Sequence, residues 1–442
     1  MTTRILAAAL CLLLVAGLLG CNDKDVDTLV LISPHNTDIE QAFEKAFAAK
    51  YLAETGRTVV FEWRDVGGGG SKILEYLRNV YGRADTAQID IVWGGGEDPF
   101  MKMADEGILQ KMQIPAGAQE NIPARLAGLP LYDKDGYWCG AALGGFGFIY
   151  NDDLLHQLGV APPTLWQDLG ADRFFDRVAL ADPMKSSSVA AANENIVQSA
   201  ENWPAGWKRL MSILGNAKKY YNGASDAANA VINEVPVATC IDFYGYMRVF
   251  KYPKKLTYVS PAGQTVYTPD PIAILKNAPH PELAQKFVDF VLSEQGQALW
   301  CLPPGHADGP EGEPLFRMPI RKDVYAKYAG EMVKGISNPY DQQGELQVDI
   351  DMREVRYGLL KHLVKAAAVD NLDLIQQAKK KLIDAGHPAE MEAIFYKLPE
   401  DVRTREQIAD LAGKLNDDVQ RELITSRWRE FFAGQYREVL AR

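Results

Sequence analysis

The chain has 442 residues, 47% of them hydrophobic and 10% aromatic, which exceeds one ordinary domain and suffices for extended cores, so two lobes or more are expected. Its 47 Lys+Arg against 58 Asp+Glu give a formal net charge of −11 at pH 7, with no basic run to offset the excess. Such a chain has nothing with which to neutralise a phosphate backbone or an anionic bilayer, which excludes nucleic acid as a primary partner.

The first predicted element is a leader. Arg4 precedes the apolar run Ile5 to Leu19, and Gly20 and Cys21 follow. A basic start, a short apolar stretch and a small-residue end form a secretory signal. The run is shorter than the roughly 20 residues of a spanning helix. Leu18-Leu19-Gly20-Cys21 looks like a bacterial lipobox, in which Cys21 becomes the lipidated N-terminus. Several acyl chains, at ~0.8 kcal/mol per buried methylene, anchor a protein durably. The expectation is a lipoprotein anchored to a bacterial membrane on its periplasmic or extracytoplasmic side; an uncleaved anchor, or an ordinary signal with a chance cysteine, is the alternative. Cys139, Cys240 and Cys301 then remain, an odd number that allows one disulfide at most. No CxxC or Cys/His cluster points to zinc.

Next come three repeats of one design. Thr28 to Ile32 is a continuous apolar run of the buried parallel-strand kind, and Ile39, Phe43, Phe47 and Tyr51 then fall at helical spacing. Thr58 to Trp63 reads as a strand, Gly67 to Ser71 as a loop, and Lys72 onward as a helix. Ile89 to Trp93 leads into Gly94-Gly95-Gly96-Glu97-Asp98-Pro99 and a third helix. Strand, polar or glycine-rich loop, helix predicts an α/β domain with a largely parallel sheet, whose ligand sits beyond the carboxyl ends of the strands. Further along, Gly144 to Asn151, Val178 to Ala181 and Val235 to Ile241 read as strands, and Pro281 to Leu299 as an amphipathic helix. From about Val324 the chain is charged, nearly free of glycine and helical in period. Leu359, Leu360, Leu363 and Val364, then Trp428, Phe431 and Phe432, mark one buried stripe, so the tail is expected to be a helical layer on a lobe surface, without ligand contact.

Three segments carry a resemblance: residues 145–155 (GFGFIYNDDLL) followed by PPTLWQDL, residues 178–188 (VALADPMKSSS), and residues 269–300 (PDPIAILKNAPHPELAQKFVDFVLSEQGQALW). In this order behind a lipobox, the chain resembles the extracellular solute-binding proteins of bacterial ABC importers over residues 28–320, nearest the ferric-ion and phosphonate or sugar-phosphate branch. The resemblance implies the two-lobed type II periplasmic-binding-protein fold, here with a C-terminal helical extension. Lobe 1 is expected at 28–140 plus 265–325, lobe 2 at 145–262 and the extension at 326–442, with hinges near Gly140–Gly145 and Ser260–Tyr267. It also implies a monomer that carries a small ligand to ABC permease and ATPase subunits, with no resident cofactor. Ferric binders of this branch use a His on the first loop, a Glu on a later one and two adjacent tyrosines at a strand end. His35, Glu97 and Tyr244 match those places, but Phe243 stands where the other tyrosine belongs, and phenyl offers no oxygen to Fe³⁺.

Glycine- or serine-rich loops entering helices offer free N–H groups to anions. Gly68-Gly69-Gly70-Ser71 and Ser186-Ser187-Ser188 are expected to face each other across the cleft; ordinary capping by Ser71 and Ser187 is the alternative. The expected ligand-contact set is His35, Arg64, Gly70, Ser71, Glu97, Ser187, Ser188, Asp242 and Tyr244. Arg64 either grips a phosphoryl group bidentately or forms a surface ion pair, and His35 either contacts ligand or caps the next helix. A small anion-bearing, phosphate-like solute is favoured, with ferric ion the alternative cargo. No GxSxG, HExxH, GxxxxGK[ST] or DxDxDG motif supports an enzyme. A tethered sensor or scaffold and a hydrolase are the readings from other classes.

Overall fold

Eleven strands in two main sheets organise the chain in the computed structural model, which describes residues 26–341 and 346–442; a separate two-stranded hairpin pairs Arg125–Leu126 with Leu129–Pro130. The leader and Cys21 lie outside the described residues. In chain order the strands are β1 (Val26–Ile32), β2 (Thr58–Arg64), β3 (Ile91–Trp93), β4 (Cys139–Gly144), β5 (Phe146–Asn151), β6 (Val178–Ala181), β7 (Ala217–Tyr221), β8 (Val237–Ile241), β9 (Leu256–Val259), β10 (Thr268–Ile274) and β11 (Met318–Pro319). Lobe 1 is the sheet β11-β4-β10-β3-β1-β2 and lobe 2 the sheet β9-β5-β8-β6-β7.

The sheets are mixed. β1 runs parallel to β2 and β3, but β10 returns from lobe 2 and pairs antiparallel with both β3 and β4. A strand that re-enters from the opposite lobe points against those that left, so only the βα half of lobe 1 is parallel. The expectation of a largely parallel sheet holds for that half, and β8, β6 and β7 of lobe 2 also run parallel.

Two strands of chain cross between the lobes: β4 runs into β5 through Gly145, and residues 260–267 lead from β9 to β10. The crossings touch. A Cβ on Gly145 would lie 2.8 Å from the Tyr267 ring, and Thr265 Oγ1 donates to Phe146 O at 2.7 Å. Asp242, expected at the ligand, is instead the staple here. Its Oδ2 accepts from Gly145 N and its Oδ1 from Phe243 N, both at 2.6 Å. Burial pushes its carboxyl up from 3.8 to about 7. A raised folded-state pKa means that the stability Asp242 contributes is complete below about pH 4 and is lost as pH rises through about 7, by at most about 4 kcal/mol. Asp242→Asn cannot ionise. Urea melts are expected to show a wider stability gap between wild type and D242N at pH 5 than at pH 8; a gap constant with pH would refute the assignment.

The tail forms helices, with α8 at Ile350–Val364, α9 at Leu372–Asp384, α10 at Ala389–Phe395, α11 at Arg405–Lys414 and α12 at Asp418–Leu440, following seven labelled helices of the lobes described below. They do not cover a finished surface. Phe148, Trp166 and Trp207 of lobe 2 share one apolar core with Leu360, Phe395, Trp428 and Phe432, and the Trp207 and Phe432 rings lie 5.9 Å apart. Trp203 Nε1 donates to Val402 O at 2.7 Å, and Gln376 Nε2 to Ala217 O at 2.8 Å. Cys139, Cys240 and Cys301 are free, buried thiols, and burial pushes Cys240 and Cys301 up to about 12.

Candidate functional site

The carboxyl ends of the strands and the helix starts that follow them enclose a cavity of about 620 Å³ between the lobes. That volume suits a small solute. Lobe 1 contributes the starts of α1 (Thr37–Thr55), α2 (Gly70–Tyr81) and α3 (Glu97–Asp105). Lobe 2 contributes α4 (Ser187–Gln198) and α6 (Ala224–Ala230), while α5 (Trp203–Gly215) lies behind in the lobe 2 core. Helix α7 (Asp242–Lys251) supplies Phe243 and Tyr244.

The cap residues of α2, α3 and α4 are Gly69, Gly96 and Ser186, and none makes a side-chain cap hydrogen bond. First-turn N–H groups are therefore left at the positive ends of three helices facing one cavity, an arrangement that attracts anions. Close packing makes this possible. Gly94, Gly95 and Gly96 all have left-handed φ (86°, 106° and 82°), and a Cβ on Gly70 would meet Gly95 O at 2.3 Å.

At the floor, His35, Asp270 and Arg317 form a buried chain. Arg317 Nη2 lies 2.8 Å from Asp270 Oδ2, which lies 3.0 Å from His35 Nε2. Asp270 Oδ1 also accepts from Gly95 N at 2.7 Å. Burial opposes the Asp270 charge, yet Arg317 and the His35 hydrogen bond hold its carboxyl well below the usual carboxylate range. Burial pushes the His35 imidazole down, so the ring is neutral. With Asp270 ionised, the network assigns the proton to Nε2, and Nδ1 remains a buried acceptor without a partner. Arg317 is 2% exposed, stacks 4.4 Å over Phe243, and keeps its Nε without a partner. The preceding Phe316 holds a left-handed φ of 54°, a strained conformation that turns the chain here.

Of the expected contacts, His35, Glu97, Ser187, Ser188 and Tyr244 line the cavity. His35 does not cap α1, since Asn36 Oδ1 takes Ile39 N at 3.1 Å. Nor does Ser187 cap α4; its Oγ donates across the cleft to Gly95 O at 2.9 Å, so the lobes are closed on each other. Ser188 Oγ lies 3.0 Å from Ser186 Oγ. Glu97 is occupied by an ion pair with Arg353 of α8. Four expected contacts fall outside the lining: Asp242, held at the hinge, and three more. Arg64 shares a strand face with Glu62 and pairs with it at 2.8 Å on the surface, as period-two alternation requires. Gly70 is pressed against Gly95 and leaves Gly69 on the wall, and Ser71 lies within the first turn of α2 behind it.

Arg317, Asp270 and Tyr357 were missed. Arg317 had one available signal, a lone charge inside the apolar run Leu315-Phe316-Arg317-Met318-Pro319-Ile320. Tyr357 lies on α8, so the extension, expected to be remote from ligand, forms part of the wall.

Residues 88–305 match the family of bacterial extracellular solute-binding proteins. The chain is 26% identical over 186 residues to the phosphoglycerate transport regulatory protein PgtC of Salmonella typhimurium, covering 42% of this chain and 44% of that protein, so it spans less than half of that relative's length. In fold it is similar to the periplasmic binding protein AfuA of Actinobacillus pleuropneumoniae, solved with fructose 6-phosphate (TM-score 0.53, 20% identity, 73% of this chain and 89% of that one). It is likewise similar to iron-bound HitA of Pseudomonas aeruginosa (TM-score 0.56, 19% identity, 76% and 99%). At such identities these likenesses speak for the fold. The match over residues 88–305 makes this chain similar to the bacterial extracellular solute-binding proteins, and its two lobes have the type II periplasmic-binding-protein fold.

Proposed function

We propose that the cleft captures a small organic anion bearing a phosphate or phosphonate group and hands it to an ABC permease. The observation that carries this reading is Arg317, a buried guanidinium with an unpartnered Nε among three uncapped helix starts. Guanidinium and backbone N–H groups together match a tetrahedral oxyanion, and Asn36, Asp65, Asn222 and Asp226 on the same walls offer partners to hydroxyls on the rest of the solute. The Salmonella relative is named for phosphoglycerate transport and the Actinobacillus protein holds fructose 6-phosphate, which agree in chemical class. Lipidation at Cys21, a place at the periplasmic membrane face, and a monomeric chain that docks on permease and ATPase subunits complete the proposal. Replacing Cys21 by Ser should release the protein into the soluble fraction.

Ferric ion as cargo has one observation in favour: a neutral His35 whose Nε2 is held by a carboxylate presents Nδ1 as metal-binding histidines do. Against it, Arg353 occupies Glu97, and Phe243 stands beside Tyr244 without an oxygen. The test is thermal unfolding with 3-phosphoglycerate, fructose 6-phosphate, inorganic phosphate and ferric citrate. A solute at a hundredfold excess over Kd adds ~2.7 kcal/mol, a shift of several degrees. A phosphate ester is expected to give it. A visible phenolate–iron band that disappears in Tyr244→Phe would overturn the anion reading in favour of iron.

A further inference from the structure

Helix α8 is where the extension touches both lobes. Arg353, Arg356 and Tyr357 share one face at helical spacing. Arg356 is bolted to Glu194 of α4, with Nη2 at 2.6 Å and Nε at 3.1 Å, and Tyr357 donates to Ser187 O at 2.8 Å. Both partners belong to lobe 2, as does the core that the extension completes. Arg353 points the other way, to Glu97 at the head of α3 in lobe 1. The two side chains are 6% and 5% exposed, and among the described residues theirs is the ion pair that joins lobe 1 to the body formed by lobe 2 and the extension. Arg353 Nη1 has no partner.

We propose that Arg353 and Glu97 form an interlobe latch, through which the C-terminal extension sets the balance between open and closed cleft. Hinge motion at Gly145 and residues 260–267 separates α3 from α8 and returns both charges to water. Closure buries both again, and burial is tolerable only as a pair. The intact pair is close to neutral, because desolvation opposes attraction; either charge buried alone is strongly unfavourable. The latch therefore acts by matching: each partner makes closure tolerable for the other. Glu97 also stands at the cavity wall, so Arg353 cancels a negative charge where an anion is expected, a consequence that rests on the phosphate reading above.

The test compares four full-length proteins without ligand by small-angle scattering: wild type, Arg353→Met, Glu97→Gln, and the double variant E97Q/R353M. Wild type should follow the compact curve of the closed structure. Each single variant should open and show a larger radius of gyration, and the double variant should close again. Identical curves for all four, or a double variant as open as R353M, would overturn the latch, because a merely structural contact is not restored by removing its second half. If R353M fails to fold, Arg353→Lys and the isosteric E97Q carry the same comparison, with R353K opening less than E97Q. A second arm titrates fructose 6-phosphate. R353M, which leaves Glu97 charged at the wall, should bind at least tenfold more weakly than wild type, while E97Q loses less. If wild type binds neither fructose 6-phosphate nor 3-phosphoglycerate nor inorganic phosphate, the phosphate reading fails and the scattering comparison still decides the latch.

Discussion

Arg317→Met is expected to abolish binding of phosphate esters and to destabilise lobe 1. Its guanidinium is the one strong counter-charge to Asp270, whose other partners are the neutral His35 ring and the Gly95 and Gly96 N–H groups. Removing one member of a buried pair costs about 3–5 kcal/mol, because the survivor keeps its desolvation penalty. The cost has a pH signature. The folded Asp270 pKa lies below its ordinary 3.8, so the stability it contributes is complete above about pH 4 and is lost as pH falls through the folded value. Without Arg317 that sign reverses, and on mild acidification the variant should recover more stability than wild type, beyond the share that Asp242 gives to both. Arg317→Lys separates binding from folding. It keeps the charge beside Asp270 but removes Nε and the planar stack on Phe243, so it should fold and still lose roughly 10–100-fold in affinity, at about 1.5–3 kcal/mol per charge-assisted hydrogen bond. Calorimetric titration of R317K at the affinity of wild type would show that the anion sits elsewhere.

Deleting residues 346–442 is expected to unfold lobe 2 while leaving lobe 1 intact. Viewed from the sequence alone, the tail is an added layer whose loss lowers stability and spares some binding; the shared core alters that expectation. Trp428, Phe395 and Phe432 are fully or nearly fully buried against Trp207 and its neighbours, and truncating one such aromatic costs about 3–5 kcal/mol. A whole domain is stable by only about 5–15 kcal/mol, so two such losses approach the total. Trp428→Ala alone should lower the unfolding free energy of the lobe 2 transition by that amount. Limited proteolysis of the truncated chain should degrade residues 146–259 first and spare the lobe 1 core around Phe43, Trp93 and Trp300, to which no residue of 346–442 contributes. A truncated protein that unfolds in one cooperative step and still binds a phosphate ester would contradict this.

The parts of this protein legible in sequence were those written in local pattern. The repeated strand, glycine loop and helix placed β1 to β3 and the cleft face, and the serine run placed Ser187 and Ser188 on the opposing wall. Helical spacing in the tail found its buried stripe but not its partner, because periodicity says that a face is buried and never against what. Arg64 and Arg317 show the same limit. Arg64 ends a cleft strand, yet strand alternation turns it to the surface beside Glu62. Arg317 lies 43 residues beyond the end of β10 at Ile274, and only the pairing of β11 with β4 brings that stretch back to the cleft. Asp242 sits at a strand end as expected, but backbone N–H groups of the hinge, invisible to any motif, claim both its oxygens.

The sheet order has a consequence for how the molecule comes into being. The first three strands of lobe 1 wait for β10, which inserts between β3 and β4, and β11 closes the edge later still. Lobe 2 waits longer, since its core includes Val439, three residues from the end of the chain. A polypeptide emerging from its N-terminus therefore cannot complete either half until most of it is free, and these distant pairings favour slow folding. Under the proposed export through a translocation pore, such delay keeps the chain passable, whereas circular permutation that brings the last helix forward should make lobe 2 fold early and hinder passage.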